Sequence, residues 1–527
     1  MTKTGVFKAW VPDWLIKTVL IFCMLHSMVL LGLYTSNLTY AASFLDVEAE
    51  DLQYAMSVTY GTFLATILIE SRIFKYFPTR NYFMTIYFLA GLTFILSAYT
   101  HQFIPFIGIR MLEGVLMALP WIPLRILLLT RFQSKNATII VFSFTYGALL
   151  IASPFIVNIV VWLLDQYNWR YMAFGSAFFQ FLCVAMILIT FTGERFHRKT
   201  PLYQVDWASF VLVHAAILCG AFVLVYGEKY YWFESNSIRV ATIATFIMSS
   251  LFVIRQYLAK RPCFNLSVIK FANLRTGLLL FILFYISRAT LSICHRAMST
   301  IWGWEPLRIA HIQYLNALGN VIGILIAALL MARLVAARYI FIIGFSLMAI
   351  HHLWFTFMFV PDVSFLAICI PYMLQGVAVG TLFVPLVLFT VSSVPSPLAP
   401  YAGAVGVAGR FWGSTIGFCV MQNAQVFLEQ SHRLKFNQFV VQEGDQRGQQ
   451  LQYLQEKFLS KGFSPDESWQ LALKKLSEQL NKQAMLLSNM EIYTAVGWMM
   501  VVLVLLLLLN RHLRQTFDLF RNKNWGS

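Results

Sequence analysis

Charge is scarce in this sequence. Asp, Glu, Lys and Arg together make up 12% of its 527 residues, about half the share carried by a soluble chain. Acid is scarcer than base: 23 carboxylates face 39 Lys and Arg, for a net charge of +16. No G-x-x-x-x-G-K-[ST] loop occurs, which argues against direct coupling to a nucleoside triphosphate. No nucleophile–base pair or metal cluster stands at usable spacing, so an enzyme is not expected. There are seven cysteines, Cys23, Cys183, Cys219, Cys263, Cys294, Cys369 and Cys419. None has metal-ligand spacing. Six lie in apolar runs and read as small fillers of helix interfaces; Cys263 lies in a basic gap. No cofactor is implied.

What is abundant is apolar sequence, 59% of the chain, with 16% aromatic residues. It comes in runs long enough to cross a hydrocarbon layer of about 30 Å as helix. The runs lack strict alternation, and only helices or closed barrels satisfy their own backbone in lipid. The fold class expected is therefore an all-α polytopic membrane protein of about fourteen spans. They are Ile16–Asn37, Tyr54–Glu70, Phe83–Thr100, Pro105–Thr130, Ala137–Leu164, Tyr171–Thr192, Trp207–Gly227, Ile238–Tyr257, Gly277–His295, Ile309–Met331, Tyr339–Val360, Phe365–Val391, Tyr401–Phe427 and Ile492–Asn510. The first run is followed by Tyr40-Ala41-Ala42-Ser43, weakly cleavage-like, but it is long and a second run follows at once, so no cleaved signal is expected.

The basic residues alternate with the spans. Arg72, Lys75 and Arg80 fill the second gap, Arg131 and Lys135 the fourth, Arg195, Arg198 and Lys199 the sixth, Arg255 to Arg275 the eighth, Arg333 and Arg338 the tenth. Lys3, Lys8 and Lys17 precede the first span, and Arg511, Arg514, Arg521 and Lys523 follow the last. The first outer gap carries Asp46, Glu48, Glu50 and Asp51. By the positive-inside rule both termini face the cytoplasm. The same pattern accounts for the net charge without nucleic acid.

One gap is long and polar, Leu428–Glu491. Leu451, Leu454 and Phe458, then Trp469, Leu473, Leu476 and Leu480, recur at helical intervals, and Ser464-Pro465-Asp466-Glu467 reads as a capping box with Pro at the first helical position. Two extracytoplasmic helices are expected, the second able to continue into the last span. The hairpin either packs on itself or docks a partner.

Within the spans, Arg110 and Glu113 are three residues apart on one helix face and can pair. A guanidinium there is costly unless it borders water or a partner, so that face is expected to line a central cavity; a pair that only fixes helix packing is the alternative. His26 is either hydrogen-bonded to a neighbouring helix or a proton carrier. Glu70 is expected at the interface, Arg125 to snorkel to the headgroups, and Arg288 to need a partner or a water-filled space. His351 and His352 point to different faces. Gly376 with Gly380, and Gly413 with Gly417, are small-xxx-small pairs that let helices approach.

Several motifs together carry a resemblance. Arg110-Met111-Leu112-Glu113-Gly114 is similar to R-x-x-Q-G. Asp165-Gln166-Tyr167-Asn168-Trp169-Arg170 contains a W-R signature. Gln375-Gly376, Gly380 and Phe383-Val384-Pro385 match G-x-x-x-G-x-x-x-x-P, and Arg410-Phe411-Trp412-Gly413-Ser414 with Gly417 is similar to R-x-x-G-G-S-x-G. Val205-Asp206-Trp207 and Trp232-Phe233-Glu234-Ser235 match an inserted helix pair, and Pro262-Cys263-Phe264-Asn265-Leu266 a linker into the second bundle. Over nearly its whole length the chain resembles the major facilitator superfamily, and within it the fourteen-helix drug:proton antiporters of the EmrB/QacA type. The resemblance implies two six-helix bundles, residues 1–192 and 275–527, with an inserted hairpin and linkers at 193–274. It implies proton-coupled export of small amphipathic or lipophilic substrates across an inner membrane, with Arg110, Glu113 and His26 at the proton site. Gly114, Pro154, Gly376, Gly380, Pro385, Arg410, Gly413 and Gly417 would serve helix packing and gating. If it extends to tripartite members, a periplasmic adaptor protein meets 428–491. The gate loop Arg72–Arg80 departs from the pattern: Lys75 stands in the place of an acid and Pro78 in that of a glycine. An importer or facilitator of a specific solute or lipid, or a receptor that keeps the fold, remain the alternatives.

Overall fold

The computed structural model describes residues 5–26, 45–259, 262–442, 444–510, 513 and 515–520. Fifteen α-helices are described: α1 (Asp13–Met24), α2 (Ala49–Tyr76), α3 (Thr79–Tyr99), α4 (Phe103–Leu129), α5 (Ala137–Gln166), α6 (Trp169–Thr190), α7 (Trp207–Tyr226), α8 (Asn236–Leu258), α9 (Ala272–Thr300), α10 (Pro306–Ala332), α11 (Ala337–Thr356), α12 (Phe365–Ser392), α13 (Ala399–Gln442), α14 (Gly444–Leu459) and α15 (Pro465–Leu509). Thirteen of them are long and apolar enough to cross a membrane. α1 has 12 residues; residues 27–37 of the first expected span, the Ala41-Ala42 stretch after it, Lys3 and the tail basics Arg511, Arg514, Arg521 and Lys523 lie outside the described residues. Apart from a single bridge between Phe7 and Phe191, no β-structure occurs among the described residues.

Local chemistry sets the helix ends. Glu48 and Asp51 form a reciprocal capping box on α2, with acids in its first turn where the helix dipole favours them. Ser464 and Glu467 do the same for α15, with Pro465 at its first position. α4 keeps Pro120 and Pro123, and α12 keeps Pro371 and Pro385, within continuous helix; neighbouring helices make such prolines tolerable in lipid.

The helices form two packed sets. In the first, α2 packs on α4, α3 on α6, and α1 on α4 and α6. In the second, α10 packs on α12, α9 on α13, and α11 on α12 and α15. The sets meet along two seams, α5 against α10 and α2 against α13. α7 rests on α2 and α13, while α8 is the least buried span, only 11% of it covered.

The two ends of the bundle differ. At one, the N-terminal segment bonds the end of α6 (Lys8 N to Thr190 O, 3.0 Å; Thr192 N to Val6 O, 2.8 Å), and Gln515 near the C-terminus accepts from Ala337 N at 2.9 Å. This is the basic end. The opposite end carries the acidic gap. There Lys229 pairs with Glu48 at 2.5 Å, the Tyr226 hydroxyl donates to Asp51 at 2.6 Å, and Gln422 donates to Glu50 at 3.3 Å. The Glu48 carboxylate holds the Lys229 ammonium above the ordinary lysine range.

From this end α14 and α15 project. Leu451 and Leu454 close on Ala472 and Leu476 as a separate small core, with Phe458 and Leu480 against it. α15 then runs unbroken into the last span for 45 residues.

Candidate functional site

Arg110 and Glu113 lie one turn apart on α4 and form an ion pair. Both side chains are fully buried. Thr59 of α2 donates to the Arg110 carbonyl oxygen at 3.1 Å, and a Cβ at Gly114 would collide with the Thr59 carbonyl. Glu113 Oε1 has no hydrogen-bond partner among the described residues. The face expected to line a cavity is therefore sealed in this structure, because the tight α2–α4 crossing leaves the pair no accessible surface. His26, just beyond α1, reaches α4 one turn further along. Its Nε2 donates to Leu116 O at 3.1 Å, and its Nδ1 lies 2.6 Å from the Gln180 amide oxygen of α6. A protonated ring would donate to both oxygens.

The polar centre between the two sets lies elsewhere. Arg125 of α4 does not snorkel: it donates to the Tyr146 hydroxyl of α5 at 3.1 Å and lies 4.7 Å from the Phe142 ring centre. The side chain turns inward because a phenol and an aromatic face await it on α5. From the opposite set, Arg410 of α13 lies 5.2 Å from the Tyr146 ring centre and donates to Gly406 O at 3.2 Å. Tyr146 thus sits between an arginine from each set. Arg288 and Tyr285 stand three residues apart on α9 and so share a face of that helix. Phe411 packs edge-on against Tyr60, and Phe383 against Tyr146. Tyr60, Tyr285, Arg288 and Arg125 all keep accessible surface, whereas Arg410 is 5% exposed.

Glu70 on α2 is not interfacial. It is 1% exposed, and neither carboxylate oxygen has a hydrogen-bond partner among the described residues. Lys75 and Arg125 are the cations whose charges reach it.

The sequence signalled Arg288 and Arg410 but missed the convergence. Glu70, Arg125 and the tyrosines occupy mid-span or inner positions that hydropathy cannot distinguish from packing sites.

The remaining expected residues hold helices together. α10 and α12 cross through reciprocal glycines: a Cβ at Gly376 or Gly380 would strike the Asn316 or Asn320 carbonyl, and one at Gly319 or Gly323 would strike α12. Gly417 stands against the Tyr285 carbonyl of α9, with Gly413 beside it. Pro154 lies within unbroken α5, where its carbonyl accepts from Asn158 at 2.8 Å. Pro385 is buried in α12. The gate residues are less loop-like than expected. Arg72 and Lys75 belong to the last turns of α2 and Arg80 to the first of α3, since α2 continues to Tyr76. Arg72 bonds the carbonyls of Gln204 and Pro262, tying α2 to both linkers. His351 and His352 bond separate oxygens, those of Pro371 and Met348, at 2.8 Å each.

Beside the centre, an apolar cavity of about 800 Å³ follows the α5–α10 seam, lined by Phe144, Gly147, Ile151, Phe155, Ile324 and Leu325 among others. Phe144, Phe155 and Leu325 are exposed, so the cavity opens on the outer flank of the bundle.

No family model matches the sequence. Among curated proteins, the multidrug export protein EmrB of Escherichia coli K12 is 23% identical over 408 residues, 76% of this chain and 75% of that protein. The fatty acid resistance protein FarB of Neisseria gonorrhoeae is 23% identical over 352 residues, 65% of this chain and 66% of that protein. Among solved structures, the proton:xylose symporter XylE, a major facilitator protein bound to 6-bromo-6-deoxy-D-glucose, superposes with a TM-score of 0.54 at 12% identity, covering 96% of this chain and 98% of its own. The chain has the fold of these transporters. The peptide transporter POT in complex with sulfate gives the same TM-score over 94% and 93% of the two chains, at 12% identity a likeness of fold. The seams α2–α13 and α5–α10 join the two packed sets of helices. The Arg–Tyr centre lies where both sets contribute.

Proposed function

We propose that this protein is a secondary transporter that exports amphipathic and lipophilic compounds by proton-coupled alternating access. The fold supplies two halves that meet at paired seams, and the curated relatives are named for multidrug export and fatty acid resistance. The observation that carries the reading is the Tyr146 centre, built by arginines of both halves and walled with aromatics. A site shared between halves is the one a rocking motion would open first to one side and then to the other.

Residues 1–192 and 275–527 form the moving halves, and 193–274 the inserted hairpin and linkers. The basic end faces the cytoplasm, which puts both termini there and the α14–α15 hairpin outside an inner membrane. Protons enter through buried carboxylates: Glu113, held by Arg110 and flanked by His26, and Glu70, within reach of Arg125. The driving force is worth about 2.3 kcal/mol per charge per 100 mV. The hairpin docks a periplasmic adaptor, and deletion of Gly444–Gln483 should abolish adaptor-dependent export while leaving the protein in the membrane.

The test is flux in proteoliposomes. An acid interior in inside-out vesicles should drive uptake of a lipophilic fluorescent substrate, with proton efflux in step. Counterflow that proceeds equally without a pH gradient would make the protein a facilitator instead.

A further inference from the structure

We propose that a pocket at the start of α10 holds the phosphoethanolamine head of a resident bilayer phospholipid, whose tail runs down the outer face of the same helix. The inference needs only the membrane fold and does not depend on the transport reading.

The pocket lies at the end of the bundle from which α14 and α15 project. It has a volume of about 360 Å³ and is lined by Glu305, Leu307, Arg308 and His311 of the α10 start and by Phe365 of α12, a size within the range of small-ligand sites. The Arg308 guanidinium lies 4.5 Å from the Trp304 ring centre and 5.5 Å from that of Phe365. Two aromatic rings thus hold the cation in place while the residue stays exposed. Among the described residues, neither Arg308 nor Glu305 forms an ion pair. One mouth therefore offers a positioned cation, an unclaimed carboxylate and an imidazole. A phosphodiester suits the arginine fork, and a primary ammonium on the same head suits Glu305. A head that carried phosphate alone would set a negative charge beside that carboxylate, a juxtaposition that costs binding.

The surroundings give the head a tail. α10 has 27 residues and rises about 40 Å, more than the hydrocarbon thickness, so its first turns stand at headgroup level. Trp302 and Trp304 lie beside them, where aromatic side chains favour a membrane surface. His311, Tyr314, Leu318, Val321 and Leu325 follow at intervals of three or four residues and share one face of α10. All five are exposed. From His311 to Val321 the helix advances about 15 Å, half the hydrocarbon thickness and so the depth that one acyl tail covers. Val321 and Leu325 also line the apolar cavity of the α5–α10 seam, so the stripe leads from the polar pocket to the mouth of that cavity.

The test is native mass spectrometry of the full chain released from detergent micelles, titrated with three probes. They are dioleoyl phosphatidylethanolamine, dioleoyl phosphatidylglycerol and glycerophosphoethanolamine, which has the first lipid's head and no tails. The wild type should retain the ethanolamine lipid about tenfold better than the glycerol lipid, the value of one charge-assisted hydrogen bond. Glu305→Gln should erase that preference while both lipids still bind. Arg308→Gln should weaken both lipids by about tenfold, and Arg308→Lys should recover part of the loss. Arg239→Gln, at an exposed arginine in the first turn of α8, should change nothing. Equal retention of the two lipids by the wild type overturns the inference, as does a preference that survives in Glu305→Gln. A loss in Arg239→Gln equal to that in Arg308→Gln would reduce the site to general contact with lipid and overturn it too. Glycerophosphoethanolamine bound as tightly as the lipid would make the pocket a site for a soluble phosphodiester, against the proposal.

Discussion

An ionised carboxylate with no hydrogen-bond partner is among the costliest things a protein interior can hold. Glu70 is such a group unless it carries a proton or an arginine swings to meet it. Either event changes what Arg125 is free to do for Tyr146, since the two share a field. Glu70→Gln should therefore uncouple export from protons: substrate binding persists, and substrate-driven pH change inside proteoliposomes is lost. Retained proton movement in that variant would remove Glu70 from the pathway. The Arg110–Glu113 pair calls for a different measurement. Removing one partner strands the other, so Arg110→Ala should cost about 3–5 kcal/mol, read as a fall in melting temperature in detergent, and Arg110→Met with Glu113→Leu should recover much of it. At this scale the sequence was legible in part. Arg110, Glu113, His26 and Arg410 announce themselves as polar groups in apolar runs. Arg125 does not, because whether a long side chain reaches for headgroups or for a tyrosine depends on how the next helix places Tyr146, 21 residues later.

At the scale of the helix, hydropathy marks where lipid is but not where the backbone ladder stops. All later spans stand near their expected places, yet α2 runs on to Tyr76 and α13 to Gln442. These extensions are polar and read as gaps. The hairpin was more legible, because capping chemistry is local: Ser464 and Glu467 satisfy each other within one turn. Those bonds from Ser464 hold the Glu467 carboxyl below its ordinary range, so its contribution is present above the unfolded carboxylate value and lost as pH falls through the folded one. Protection of the amides at the start of α15, taken relative to their intrinsic exchange at each pH, should be lower below about pH 4 than at neutrality, with the Leu451–Leu476 core protecting the rest; unchanged protection would take the cap out of the account. The α10–α12 crossing is the strictest packing element. Its second pair of glycines, Gly319 and Gly323, went unread beside Gly376 and Gly380, although the spacing is the same. Gly376→Val should push the helices apart against the Asn316 carbonyl and abolish folding yield in the membrane, whereas Gly403→Val, at a site with open space, should not.

For the whole molecule, alternating access requires the seams to part in turn. At the hairpin end α5 and α10 are joined by Asn158, which donates to Ala310 O at 2.7 Å, and α2 and α13 by Gln422 with Glu50. Cysteines at positions 158 and 310 should cross-link under mild oxidation and halt transport, with reduction restoring it. Transport that continues while the link is intact would show that this seam stays closed throughout the cycle. One feature ties such motion to the outside. α15 spans roughly 68 Å at its residue rise, about twice the hydrocarbon thickness, with no break between its outer tip and its buried foot beside α11. A rod of that length cannot tilt at the bottom and stay still at the top. Each turnover would sweep the tip sideways, so anything clasping it would feel the cycle as a mechanical stroke, and clamping the tip would brake the pump from a distance.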